Sequence, residues 1–231
     1  MRQLFARVHQ LDTAGTTPNP MDFIHRCPLG ATHQLGYDMH MTKLMPISDQ
    51  SIANAAGILR SGGLVAFPTE TVYGLGADAC NANAVARIFT AKNRPKFNPL
   101  ISHVATVDAA FALGRKTPIA AALAAAFWPG PMTLVLTRED HCPIVRLTSA
   151  GLDKIALRVP AHAEAQRVLT AFGGPVAAPS ANMSGKISPS RVTHVMQSLA
   201  GRVDLILDGG ACESGVESTI VDCTGAQAII L

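Results

Sequence analysis

The chain has 231 residues, of which 48% are hydrophobic, 5% aromatic and 15% charged, with a formal net charge of +3. That length and composition describe a globular protein with room for one large domain and a core of Ala, Val, Leu and Ile, and exclude a disordered or fibrous chain. The modest charge permits a nucleic-acid partner without demanding one, and no apolar run approaches the ~20 residues of a membrane span.

The first forty or so residues differ from the rest. They hold Arg2, Arg7 and Arg26, four of the eight histidines, and no strong period, and they end near Met39-His40-Met41. An apolar signal-peptide core is missing. Three readings stand: translation starting at Met41, a poorly ordered extension, or a transit peptide, against which Asp12, Asp22 and Asp38 argue. Residues 1–45 are therefore expected to be an N-terminal extension and 46–231 the functional domain.

Cys27, Cys80, Cys142, Cys212 and Cys223 are odd in number and widely spaced, with no C-x-x-C pair and no flanking His at metal spacing. They read as reduced thiols of a cytoplasmic protein.

From residue 47 helical and strand patterns alternate. Ile52, Ala55, Ala56 and Leu59 lie at helical spacing over 47–60, Ser61-Gly62-Gly63 stops the helix, and Leu64 to Phe67 reads as a strand. A helix is expected over Asn83 to Lys92 and a strand over Pro99 to Val104. Ala120 to Phe127 is a small-residue helix ended by Trp128-Pro129-Gly130-Pro131, and Met132 to Thr137 is a strand rich in branched side chains. Further strands fall at Ile155 to Val159, Val176 to Ala178, Leu205 to Leu207 and Thr219 to Val221. Between them helices are expected at about 162–171 and 189–199, the latter capped by Ser188 with Pro189 at its first position. Alternating strands and helices imply an α/β sheet whose loops line a site.

The loop Lys92-Asn93-Arg94-Pro95-Lys96 packs three cations into five positions, with no acidic residue between Asp78 and Asp108. About ninety residues on, Ser180-Ala181-Asn182-Met183-Ser184-Gly185 offers hydroxyl and amide groups on a Gly-containing turn, able to bond phosphate or ribose. Together the two segments suggest a nucleotide site. Familiar alternatives fail. Gly74-Leu75-Gly76-Ala77-Asp78-Ala79 matches G-x-G-x-x-A, but the predicted strand ends too early and no acidic residue follows about twenty positions on. Gly185-Lys186 lacks the upstream Gly and following Ser or Thr of a phosphate loop, and Ser180 has no G-x-S-x-G elbow.

What remains is Phe67-Pro68-Thr69-Glu70-Thr71-Val72-Tyr73-Gly74-Leu75-Gly76, the basic loop, His103, Phe127-Trp128-Pro129-Gly130-Pro131-Met132-Thr133, Leu157-Arg158-Val159-Pro160, the Ser180 segment, and Gly215-Val216-Glu217-Ser218-Thr219-Ile220-Val221-Asp222. In that order these resemble the YrdC-like family of L-threonylcarbamoyladenylate synthases, over residues 47–231. The resemblance implies an α/β fold with a twisted open mixed sheet, flanking helices and a large basic concave face. It also implies a cytoplasmic nucleotidyltransferase that makes threonylcarbamoyl-AMP and pyrophosphate from L-threonine, bicarbonate or CO2, and ATP. That product would supply the machinery that transfers threonylcarbamoyl to a tRNA adenosine.

The residues suit that chemistry. Attack of a threonine carbamate on the α-phosphorus needs cations and donors around the phosphates more than a protein nucleophile. Lys92 would supply a compact charge and Arg94 a planar fork, joined by Ser180 and Asn182 as the catalytic set, with Asn98 and Ser188 adding neutral hydrogen bonds. Lys154, which stands where relatives often carry a small hydroxyl residue, is a further candidate ATP contact. Mg2+ would come with ATP, although no carboxylate pair presents itself. Arg158 is the bidentate clamp for the threonine carboxylate, and the family match places Thr71, His103, the Ala178 backbone and Ser218 around the amino acid. Glu70 and Glu217 stay unassigned. Relatives usually continue past the last strand into an Arg-containing segment, whereas this sequence stops at Leu231, so that contact is in question. The rivals are an RNA-binding module using the same basic concavity and a carbamoyl-handling domain of a hydrogenase-maturation protein.

Overall fold

The computed structural model describes residues 41–231. The N-terminal extension expected over residues 1–45 lies outside the described residues up to residue 40.

The described chain begins with a strand ahead of the first element read from the sequence, β1 (Lys43–Pro46). It continues through α1 (Asp49–Arg60), β2 (Val65–Phe67), β3 (Gly74–Asp78), α2 (Ala82–Lys92), β4 (Ile101–His103), α3 (Val107–Leu113), α4 (Pro118–Phe127) and β5 (Met132–Thr137). After a 3-10 turn at Arg146–Ser149 come β6 (Lys154–Arg158), α5 (Ala163–Phe172), β7 (Val176–Ala177), α6 (Val192–Leu199), β8 (Leu205–Asp208), β9 (Thr219–Asp222) and β10 (Ile229–Ile230). Among the described residues the strands form one mixed sheet in the order β1-β8-β2-β3-β7-β4-β6-β5-β9-β10. The expected α/β fold with flanking helices on an open mixed sheet is the one observed.

Two apolar cores lie on the faces of this sheet. Strand side chains alternate between faces, so Val65, Phe67, Leu205 and Leu207 join Ile52, Ala55 and Leu59 of α1 and Ala165, Val168 and Leu169 of α5. Their neighbours Leu64, Ala66 and Ile206 turn to the other face, against Val85, Ile88 and Phe89 of α2, Ala120 of α4 and Val195 of α6. At 25 cal/mol/Å2, each fully buried Leu or Ile contributes roughly 1.5–3 kcal/mol to holding the layers together.

Local chemistry explains the helix ends. Ser48 and Ser51 bond reciprocally in a capping box at the start of α1. Thr117 caps α4 with Pro118 at its first turn. Asn93 closes α2 in the left-handed region, at φ 50° and ψ 47°. The expected helix at 189–199 is shorter: α6 begins at Val192 after Arg191, and Ser188 does not cap it. The reason is tertiary, because the Pro189 and Ser190 carbonyls accept from Tyr73 N and Cys212 N and hold that segment out of the helix.

The G-x-G-x-x-A match at 74–79 is largely strand: Gly74–Asp78 is β3, antiparallel to β2. Two glycines hid its pattern, and packing demands one of them. A Cβ on Gly76 would meet Phe67 Cε1 at 2.7 Å and Val176 Cγ1 at 2.9 Å.

Candidate active site

The site forms where β2, β4, β6 and β7 deliver their ends. In the parallel pair β4 and β6, His103 stands opposite Arg158, and in the antiparallel pair β4 and β7 it stands opposite Val176. The cleft there is lined by Thr71, His103, Arg158, Ala178 and Ser218, the five residues expected around the amino acid. Arg94 and Ser180, two of the residues expected at ATP, line the same cleft.

Arg158 is 3% exposed and held on several sides. Its Nε donates to Gly130 O at 3.2 Å and its Nη1 to Thr71 Oγ1 at 2.9 Å. Its Nη2 lies 2.7 Å from Glu70 Oε1 in a buried ion pair. Burial pushes the Glu70 carboxyl up, but the Arg158 charge and hydrogen bonds outweigh it and hold Glu70 below the ordinary carboxylate value. Arg158 is thus a preorganised fork.

His103 is buried, and its Nδ1 has no hydrogen-bond partner. Burial, and then the Arg158 charge, push its imidazolium down to about 3, so the ring is neutral at physiological pH. On the cleft lining, such a ring can offer a hydrogen bond without a charge. Ser218 Oγ shares a 2.7 Å hydrogen bond with Thr133 Oγ1. The Ala178 amide donates to Ile101 O at 2.9 Å, which leaves the Ala178 carbonyl as that backbone's contribution to a ligand.

On the nucleotide side the structure divides the expected set. Lys92, at the last turn of α2, is 1% exposed and does not line the cleft. Its ammonium lies beneath the Ser180–Asn182 turn, donating to the carbonyls of Ser180 and Asn182 and to Asn182 Oδ1. Ser184 N returns a 2.8 Å bond to Lys92 O. Burial, with the Arg94 charge second, pushes Lys92 down to about 7. Asn182 is likewise buried, its Nδ2 donating to Lys186 O at 2.6 Å. These two residues shape the turn that presents Ser180.

Arg94 reaches the cleft with its guanidinium steadied on Pro99 O at 3.1 Å. The next residues, Pro95 to Asn98, form the bend that carries it, and Asn98 is half-buried with its carbonyl 3.5 Å from Arg94 Nε. Ser188 Oγ donates to Glu217 Oε1 and does not line the cleft. Lys154 also lies off the lining: its ammonium pairs with Asp222 Oδ2 at 2.9 Å.

Two neighbours of Thr71 have roles that the sequence does not assign. Glu70 pairs with Arg158, and Thr69 lines the cleft with its Oγ1 2.8 Å from Thr71 Oγ1. The run Thr69-Glu70-Thr71 was visible, but only the fold shows that consecutive residues converge on a strand end ninety positions away.

Comparison with known proteins gives the family. The Sua5/YciO/YrdC family model, described as "Telomere recombination", matches residues 57–231, and the chain belongs to that family. It is 48% identical over 186 residues to threonylcarbamoyl-AMP synthase of Pyrococcus abyssi, covering 80% of this chain and 54% of that protein. To the Bacillus subtilis protein of the same name it is 45% identical over 192 residues, with 83% and 55% covered. The crystal structure of P. abyssi Sua5 complexed with L-threonine superposes with a TM-score of 0.77 at 46% identity, covering 83% of this chain and 56% of that one. The chain therefore spans about half the length of these relatives.

Proposed function

We propose that this chain makes L-threonylcarbamoyladenylate from L-threonine, bicarbonate or CO2, and ATP, and releases pyrophosphate. The observation that carries this reading is the sharing of one cleft by Arg158, Thr71, His103 and Ser218 with Arg94 and Ser180. The first group suits a small hydroxy amino acid; the second suits phosphate. The relatives' names and the L-threonine complex of the P. abyssi protein support the same assignment.

In this reading the threonine carboxylate takes the Arg158 fork, and His103 and Ser218 face the rest of the amino acid. A carbamate oxygen bonds to the α-phosphorus of ATP, the bridging α–β P–O bond breaks, and pyrophosphate leaves with the electron pair. Arg94 and Ser180 stabilise charge gathering on the phosphates, while Lys92 and Asn182 keep Ser180 in place. Asn98 and Ser188 complete the nucleotide set if the bends carrying them tighten on ATP; Lys154 stays with Asp222.

Magnesium riding on the phosphates keeps most of its waters and needs at most one or two protein carboxylates. Among the described residues no cluster of three or more His, Cys, Asp or Glu would cage a metal alone. Glu217, a carboxylate on the cleft lining, fits the lesser requirement and would hold the ion. When bound, Mg2+ supplies charge neutralisation for the departing pyrophosphate.

The product would pass to the threonylcarbamoyl-transfer machinery acting on tRNA, in the cytoplasm. Direct RNA binding is less favoured, because Lys92, a third of the basic cluster, is turned inward. Label from bicarbonate should appear in a nucleotide product only when ATP and L-threonine are both supplied; labelling that ignores L-threonine sinks the proposal.

A further inference from the structure

Thr71 sits between two partners whose chemistry fixes where its proton lies. Thr69 Oγ1 is 2.7 Å from Val72 O and 2.8 Å from Thr71 Oγ1. A carbonyl only accepts, so the single Thr69 proton belongs on Val72 O. Backbone N–H groups of Thr71 and Val72 reach the same oxygen at the longer distances of 3.2 and 3.3 Å and share one of its two lone pairs, which leaves the other for Thr71. The Thr71 proton then points back at Thr69. From the other side Arg158 Nη1 donates to Thr71 Oγ1 at 2.9 Å. With its proton spent and one lone pair taken, Thr71 has one lone pair left, and it lines the cleft.

We infer that Thr69 is a positioning residue that fixes the hydrogen-bond direction of Thr71, so that Thr71 accepts the one substrate N–H that survives carbamate formation. This rests on the function proposed above. In that reaction the threonine nitrogen lone pair forms the new bond to the carbon of CO2, a C=O π pair moves to oxygen, and one N–H proton leaves to solvent. A neutral amine has two N–H groups and its carbamate has one. An acceptor-only hydroxyl can hold that N–H before and after the bond forms, keeping the carboxylate end of the carbamate free to face the α-phosphorus. A hydroxyl free to rotate would instead be able to turn its own proton toward the nitrogen and strand the pair of donors against each other.

The test measures threonine-dependent pyrophosphate release by the unaltered chain, Thr69→Val and Thr69→Ser. Thr69→Val keeps the side-chain volume but cannot accept, so the KM for L-threonine should rise about tenfold while the KM for ATP stays within about twofold. Thr69→Ser, which keeps the hydroxyl, should restore both values. An active unaltered chain with Thr69→Val unchanged, or with both KM values raised alike, overturns the inference and leaves the synthase reading intact. An inactive unaltered chain sinks the synthase reading first. Should Thr69→Val not fold, N-methyl-L-threonine decides on the unaltered chain. Its amine still offers N–H but its carbamate has none, so it should compete with L-threonine while supporting less than about a tenth of its turnover. Turnover comparable to that with L-threonine overturns the inference.

Discussion

Lys92 and Asn182, ninety positions apart, are joined beneath the floor of the cleft: the lysine ammonium donates to both the main-chain oxygen of Asn182 and its Oδ1, the latter at 3.4 Å. A buried ammonium without a carboxylate partner survives only where neutral acceptors surround it. Those acceptors belong to the turn that presents Ser180, so the charge organises the site from behind.

Removing that ammonium leaves the carbonyls of Ser180 and Asn182 stranded. Lys92→Met should lower stability by about 1–3 kcal/mol and weaken ATP use, read by urea unfolding and pyrophosphate release. The pH dependence has a definite sign. Between about pH 7 and 10.5, the folded and ordinary values of Lys92, the unfolded chain binds a proton that the folded chain lacks, so unfolding free energy rises with pH in that window. The unaltered chain should therefore gain on Lys92→Met as pH rises from about 7 to 9; a gap independent of pH would contradict the buried, depressed ammonium.

Arg158→Ala should chiefly raise the KM for L-threonine and also cost about 3–5 kcal/mol of stability at neutral pH, because Glu70 is left buried without its partner. In the unaltered chain Glu70 is depressed, so its contribution is present above the ordinary value of 4.5 and fades as pH falls through its folded value. In Arg158→Ala the charge and hydrogen bond of the guanidinium are gone, so the buried carboxyl protonates sooner than in the unaltered chain. The stability gap between the two proteins should narrow as pH drops from about 7 to 4, and urea titrations at both values check it.

Arg94→Ala should weaken ATP use and spare L-threonine, the reverse of Arg158→Ala, because the two guanidiniums meet opposite ends of the cleft chemistry. Equal rises in both KM values for both variants would refute the division.

Lys154→Ala should leave both KM values within about twofold and change stability by less than about 1 kcal/mol, since the half-exposed ion pair with Asp222 lies off the cleft. A large rise in the KM for ATP would return Lys154 to the nucleotide site.

Gly76→Ala brings a methyl against Phe67 and Val176 between β2 and β7. Overpacking of this kind costs about 1–3 kcal/mol, which thermal unfolding would register as a lowered Tm without a selective change in either KM.

The sequence made much of this legible for physical reasons. α1, α2, α4 and β5 carry strong periods and matching caps or breakers, and each lies within a residue or two of its expected span. β3 was hidden because glycine lacks β propensity, although the narrow space beside Phe67 requires it. β1 and β10 are short edge strands whose pairing, not pattern, defines them. In the site, Thr71, His103, Arg158, Ala178 and Ser218 could be matched by motif and do share a cleft. Burial could not be read that way. A lysine beside an arginine in a polar loop looks like a surface cation, and only the fold reveals that Lys92 faces three oxygens instead of solvent. Glu70 and Thr69 act through their neighbours, so no local signal marks them.

In the proposed reaction one cleft brings an amino acid and a triphosphate together. Pyrophosphate release with ATP and bicarbonate, measured with and without L-threonine, tests it most directly. Release should depend on L-threonine and fall in Arg94→Ala and Arg158→Ala at fixed substrate; release indifferent to L-threonine, or none under any condition, would show that the cleft does not join the two.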